Sequence, residues 1–175
     1  EYRFMPVEEA KLLFQRYQGK YPWIYLEQEM GMAERYRHFF PCFSIDGRVA
    51  AFLKIGVTKA YVHDYRRVLV LPPKTAIIYD SFVDPPLRCN GLGQSILSLS
   101  SYFLKEKGYR KSLAQIPPWN VASRKMYSLS GYIPIGKARY IRTFGRDFLF
   151  AHSARLQLEP LEKVHSLKRK EEGQI

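Results

Sequence analysis

At 175 residues the chain suits one domain with a sizeable core. Hydrophobic residues at 46% and aromatics at 15% exclude a disordered polymer, and no run approaches the length of a membrane span. The formal charge of +12 would attract any polyanion, but the basic side chains are scattered, so charge alone does not make a nucleic-acid binder.

A first helix is predicted from Glu8 to Tyr17, where Ala10, Leu12, Leu13 and Phe14 recur at helical spacing. Gly19 to Pro22 breaks it, and a second, less regular helix falls between Trp23 and Arg37. Residues 39–45 and 49–57 read as a hairpin joined at Asp46-Gly47. Residues 58–74 read as an extended insertion, with Tyr61, His63 and Tyr65 alternating before Val68-Leu69-Val70-Leu71 runs into Pro72-Pro73. A strand follows at 75–83, rich in β-branched and aromatic side chains and stopped by Asp84-Pro85-Pro86. From Leu92 a helix is marked by Ile96, Leu97, Leu99, Tyr102, Phe103 and Leu104. Residues 111–116 form another strand, closed by Pro117-Pro118. Asn120 is a good N-cap for the next helix and Gly131 is placed as its C′ glycine. Tyr132 to Thr143 and Asp147 to Arg155 form a second hairpin, turned at Phe144-Gly145-Arg146. Residues 1–160 are read as a single domain and 161–175, with Lys168-Arg169-Lys170, as a polar charged tail.

Two cysteines, Cys42 and Cys89, make no disulfide framework, and no Cys/His spacing suggests a metal. The opening Glu1-Tyr2-Arg3-Phe4 lacks signal-peptide shape, and a reducing cytoplasm is the default location. The absent initiator methionine suggests a processed or trimmed chain, with a preceding strand or tag lost.

The most informative stretch is Arg88-Cys89-Asn90-Gly91-Leu92-Gly93-Gln94-Ser95, between a strand and a helix. Gly91 and Gly93 let the main chain approach a ligand, and the free amides of the new helix favour an anion. A dinucleotide fingerprint needs a third glycine where Ile96 stands, and no Gly-Lys-Ser/Thr run marks a P-loop. About thirty residues on, Asn120, Ser123 and Tyr127 fall on one face of a helix that ends in Gly131-Tyr132.

The Arg-x-x-Gly-x-Gly loop followed in order by Asn-x-x-Ser-x-x-x-Tyr resembles the coenzyme A motifs of the GNAT superfamily of acetyltransferases. The resemblance covers residues 39–155 well and implies an α/β fold, with a mixed central sheet of about six or seven strands and about four helices. It implies acetyl-CoA as co-substrate and direct acyl transfer to a primary amine in a ternary complex. Residues Arg88, Cys89, Asn90, Gly91, Leu92, Gly93 and Gln94 would take the pyrophosphate, and Phe82 and Val83 the pantetheine arm through their backbone. Asn120 and Ser123 would line that arm, and Tyr127 would protonate the departing thiolate. Asp80, in the middle of the critical strand, is the first choice of base. Glu27, Glu29 and His38 fall in the part that lines the acceptor pocket in the superfamily; Tyr25, Glu27, Tyr79 and Arg139 are the substrate candidates. Arg139 would suit an acidic group on a small-molecule amine acceptor. A homodimer through the C-terminal strands is a further implication of the resemblance. Two other readings stay open: a non-catalytic acyl-CoA-binding sensor, and an acyltransferase working with an acidic carrier protein or tRNA.

Overall fold

A computed structural model describes residues 1–143, 146–152 and 157–160. The elements run β1 (Tyr2–Met5), α1 (Val7–Gln18), α2 (Glu27–Tyr36), β2 (Phe40–Ile45), β3 (Arg48–Val57), β4 (Lys59–Val62), β5 (Arg67–Val70), β6 (Thr75–Val83), α3 (Leu92–Glu106), β7 (Lys111–Ala114), α4 (Val121–Leu129), β8 (Lys137–Thr143), β9 (Arg146–His152) and β10 (Gln157–Pro160). Short 3-10 turns stand at His63–Tyr65 and Pro85–Leu87.

The main sheet has five strands in the order β1-β2-β3-β6-β7, antiparallel except for the parallel pair β6–β7. It is smaller than the six or seven strands expected from sequence, because β8 and β9 pair only with each other among the described residues. The insertion at 58–74 is a hairpin, β4–β5, joined by β10 into a three-stranded sheet. Strands β1 and β10 were not expected from the sequence. The turn at 144–145, residues 153–156 and the tail at 161–175 lie outside the described residues.

The sheet is covered on both faces. On one, Phe14 of α1 and Met30 and Ala33 of α2 pack against Phe52 and Phe82. On the other, Ile96, Leu97 and Leu104 of α3 and Tyr127 of α4 pack against Leu53, Ile55 and Ile78. Leu99 and Tyr102, counted in the apolar pattern of α3, fall on its exposed side. The β2–β3 turn has both Asp46 and Gly47 at positive φ, the geometry that an Asp-Gly hairpin predicts. No helix of the described residues is long and apolar enough to cross a membrane.

Where β4 folds back over β3, the backbones meet at Gly56. A Cβ there would lie 2.7 Å from Ala60 Cβ and 3.3 Å from Ile77 Cγ2. Neither neighbour is a flexible side-chain tip, so Gly56→Ala is expected to cost about 1–3 kcal/mol of stability through overpacking. A urea titration of the two proteins measures it; an unchanged midpoint would mean that the insertion moves freely away from β3.

Candidate active site

Strand β6 organises the site. Its lower half pairs with β7 from Thr75↔Lys111 to Ile78↔Ala114, and there the pairing stops, while β6 runs on to Val83. On its other edge the register with β3 shifts between Lys54↔Asp80 and Ile55↔Ile78, leaving Tyr79 as an extra residue. Such a bulge bends the strand and re-aims its side chains. The side chains follow: Ile78 packs among the α3 residues and Ser81 meets Tyr127, while both Tyr79 and Asp80 reach partners on the opposite side.

Beyond the bulge, the open edge can be assigned from the hydrogen bonds. The Asp84 amide bonds the Ala50 carbonyl at 2.8 Å, so by antiparallel alternation the backbone groups of Ser81 and Val83 face away from β3. Phe82 differs from its sequence reading: its backbone turns toward β3 and its ring is buried in the core. Arg88 Nε donates to the Val83 carbonyl at 3.0 Å, tying the loop to the strand edge.

The loop itself is exposed from Arg88 to Gly91, with Cys89 at φ 65° and Gly91 at φ 74°. Gly91 is the N-cap of α3, and no side chain caps that helix start. The amides of Leu92, Gly93 and Gln94 are therefore left for an anion, with the positive end of the helix dipole behind them. Gly93 also lies close to α4, since a Cβ there would be 2.5 Å from Met126 Sδ and that flexible side chain would have to shift. At the start of α4 the Asn120 Oδ1 accepts the Ser123 amide at 3.1 Å, as its N-cap reading predicts.

Tyr127 is 4% exposed, edge-on to Tyr132 with ring centroids 5.0 Å apart. Burial, with Tyr132 beside it, raises its pKa against the opposing hydrogen bond from Ser81. It stays a protonated phenol throughout the physiological range, next to the open edge.

Across the sheet lies a group that sequence reasoning did not assemble. Lys54 of β3 is fully buried, and its ammonium reaches Ile24 O at 2.6 Å, Glu29 Oε2 at 2.9 Å and Asp80 Oδ2 at 2.9 Å. The Phe14 ring centroid lies 4.8 Å from the same nitrogen. Burial alone would lower the Lys54 pKa, but the two carboxylates outweigh it and hold the lysine charged. Burial raises both carboxyls against the pull of Lys54, Glu29 to about 7. Glu27, two residues earlier, is exposed and stands outside this group. The signal in the sequence was one lysine inside the otherwise apolar strand Val49–Val57, since a buried ammonium requires carboxylate or carbonyl partners.

The remaining candidates are spread more widely. Tyr25 packs against the core between α1 and α2. Arg139 is exposed on β8. Tyr79 donates its hydroxyl to His38 Nδ1 at 3.1 Å, because His38 Nε2 donates to the Lys59 carbonyl at 2.7 Å. Burial lowers the His38 pKa to about 4, against the raising effect of that carbonyl. A depressed histidine contributes stability that is complete above pH 6.5 and lost as pH falls toward 4, about 3 kcal/mol over the interval. The difference in unfolding free energy between wild type and His38→Gln is expected to shrink by that amount between those pH values. A pH-independent difference would mean that His38 takes up its proton without unfolding.

An uncapped helix start thus lies beyond a splayed, bulged strand, with a buried tyrosine against the open edge. The acetyltransferase (GNAT) family matches residues 7–132, and the chain belongs to that family of N-acetyltransferases, with acetyl-CoA as co-substrate and CoA as its product. No curated protein matches the sequence. Among solved structures, the aminoglycoside acetyltransferase AAC(6')-Iy in complex with a bisubstrate analogue of CoA superposes with a TM-score of 0.62 at 16% identity, over 82% of this chain and 97% of that one. The ribosomal-protein-S18-alanine N-acetyltransferase from Escherichia coli superposes at 0.60 and 16% identity, over 92% and 93%. An N-acetyltransferase from Staphylococcus aureus Mu50 gives 0.56 at 17% identity, over 86% and 95%. At such identities the likeness is one of fold.

Proposed function

We propose that the protein transfers an acetyl group from acetyl-CoA to a primary amine by direct attack in a ternary complex. The observation that carries this reading is what gathers around the upper half of β6: the open edge at Ser81 and Val83, with the Tyr127 hydroxyl on one face of the sheet and the Asp80 carboxylate on the other. The free amides of Leu92, Gly93 and Gln94, within the loop that begins at Arg88, hold the pyrophosphate. The backbone groups of Ser81 and Val83 pair with the pantetheine arm as an extra strand would, and Asn120 and Ser123 flank it. Asp80 takes the proton from the arriving ammonium, and the neutral amine attacks the thioester carbonyl. Amides at the splay stabilise the oxyanion that forms. As the intermediate collapses, Tyr127 protonates the thiolate and is restored by the proton lost from nitrogen. Tyr25 and Tyr79 line the acceptor side, and an acidic group on the acceptor would meet Arg139.

Calorimetric titration with acetyl-CoA and CoA tests the site, on wild type and on Gly91→Trp. Both ligands are expected to bind wild type, and neither to bind a variant whose circular dichroism is unchanged. Release of free thiol with primary amines, tyramine among them, tests the reaction. A folded wild type that binds neither ligand would overturn the reading.

A further inference from the structure

The ammonium of Lys54 has three N–H donors and three acceptors within 2.9 Å: the Ile24 carbonyl, Glu29 and Asp80. With all three groups ionised, one positive charge faces two negative ones. The side chains are 0%, 6% and 15% exposed, so water does little to screen the surplus negative charge. The other charged or titratable groups facing this pair do not cancel it. Asp64, on the 3-10 turn of the insertion, adds negative potential to both carboxyls, and Tyr79 of β6 is held neutral by burial. From α1 the pair meets the uncharged Phe14 ring, over Lys54, and His38, bonded to Tyr79, is neutral. The cluster thus has room for one more positive charge, and Asp80 is its most exposed member. It follows the bulge, beside the open edge where the thioester is read to lie.

We propose that Glu29, Lys54 and Asp80 form a one-proton reservoir for the acceptor ammonium, with Glu29 as the seat of the stored proton. The inference rests on the reading of Asp80 as the group that meets the amine. The proton balance is complete within the cluster. The ammonium gives one proton to Asp80 and becomes a neutral amine. Asp80 passes a proton to Lys54 as Lys54 passes another to Glu29, leaving Asp80 ionised, Lys54 still an ammonium and Glu29 a neutral acid. The cluster moves from one net negative charge to none, and the stored proton returns to solvent when product leaves. Glu29 and Lys54 are positioning residues here, since neither touches substrate.

Carboxyl-carbon NMR across pH 4–9 tests storage on the unliganded full chain, in wild type, Glu29→Gln and Asp80→Asn. One wild-type carboxyl is expected to titrate near neutrality. Its signal should vanish in Glu29→Gln and titrate at lower pH in Asp80→Asn, which removes a negative neighbour. Absence of any carboxyl titrating above about pH 6 overturns the proposal. So does a near-neutral titration that survives Glu29→Gln, or one that ignores Asp80→Asn. Kinetics with acetyl-CoA and tyramine then separate a reservoir from a purely structural cluster. Glu29→Gln should move the acidic limb of kcat/KM down by about one pH unit or more and lower its plateau about tenfold. A variant with lowered Tm and an unmoved limb overturns the reservoir. If wild type acetylates no amine, or Asp80→Asn keeps full rate, the proposed function fails instead, and the NMR result decides storage by itself.

Discussion

Replacing Lys54 by methionine is expected to destabilise the protein by about 3–5 kcal/mol at pH 7, the largest single-residue effect on folding foreseen here. Methionine fills most of the volume, so little of the loss comes from a cavity. The loss comes from what stays behind: the Glu29 and Asp80 carboxyls, both bonded to the removed ammonium, together with the Ile24 carbonyl. Without the cation each carboxyl titrates higher in the folded chain than beside Lys54. A carboxyl whose folded pKa is raised binds protons that the unfolded chain has released, so stability falls as pH rises through that range. The penalty should therefore be largest at neutral pH and shrink toward pH 5, where both carboxyls protonate. Urea denaturation at the two pH values checks this. A loss below about 1 kcal/mol at pH 7 would show that the cluster admits water and behaves as a surface ion pair.

Tyr127→Phe is expected to lower kcat by about 10²–10⁴, the range for losing a positioned acid, while leaving CoA affinity unchanged. The phenol is buried and its pKa is raised, so it carries its proton at any working pH. Phenylalanine keeps the ring against Tyr132 and the α3 side chains and removes only the hydroxyl near Ser81. The stability cost should stay near 1 kcal/mol, that of one lost hydrogen bond. Turnover under saturating acetyl-CoA, with calorimetry of CoA in parallel, measures both quantities. A kcat within threefold of wild type would hand the proton to water and leave Tyr127 as a packing residue.

The parts of the molecule that were legible in the sequence are those in which a local pattern does a local job. Asn120 caps a helix by reaching its own Ser123, so it can be read from its immediate neighbours. The Asp46-Gly47 hairpin is of the same kind. Strand β1 was missed because four residues are too few to set a period, and β10 because its partner β5 lies some ninety residues away. The second hairpin was found, but among the described residues it does not join the central sheet, since pairing depends on edges and not on the strand's own pattern. The charged cluster draws Glu29 from α2, Lys54 from β3 and Asp80 from β6. Only the position of Lys54 among apolar neighbours hinted that such partners had to exist.

The extra residue at Tyr79 also sets how this strand can change over time. The two halves of β6 are out of phase by one position, the lower half serving the scaffold and the upper half the chemistry. Losing Tyr79 would restore a regular ladder, with Ile78 opposite Ile55 and Asp80 opposite Lys54 as they are now. Asp80 would stay opposite Lys54 and Ser81 on the face of Tyr127, while His38 would lose the Tyr79 hydroxyl. The extra residue of this strand thus serves the His38 contact, and the placing of Asp80 and Ser81 does not depend on it.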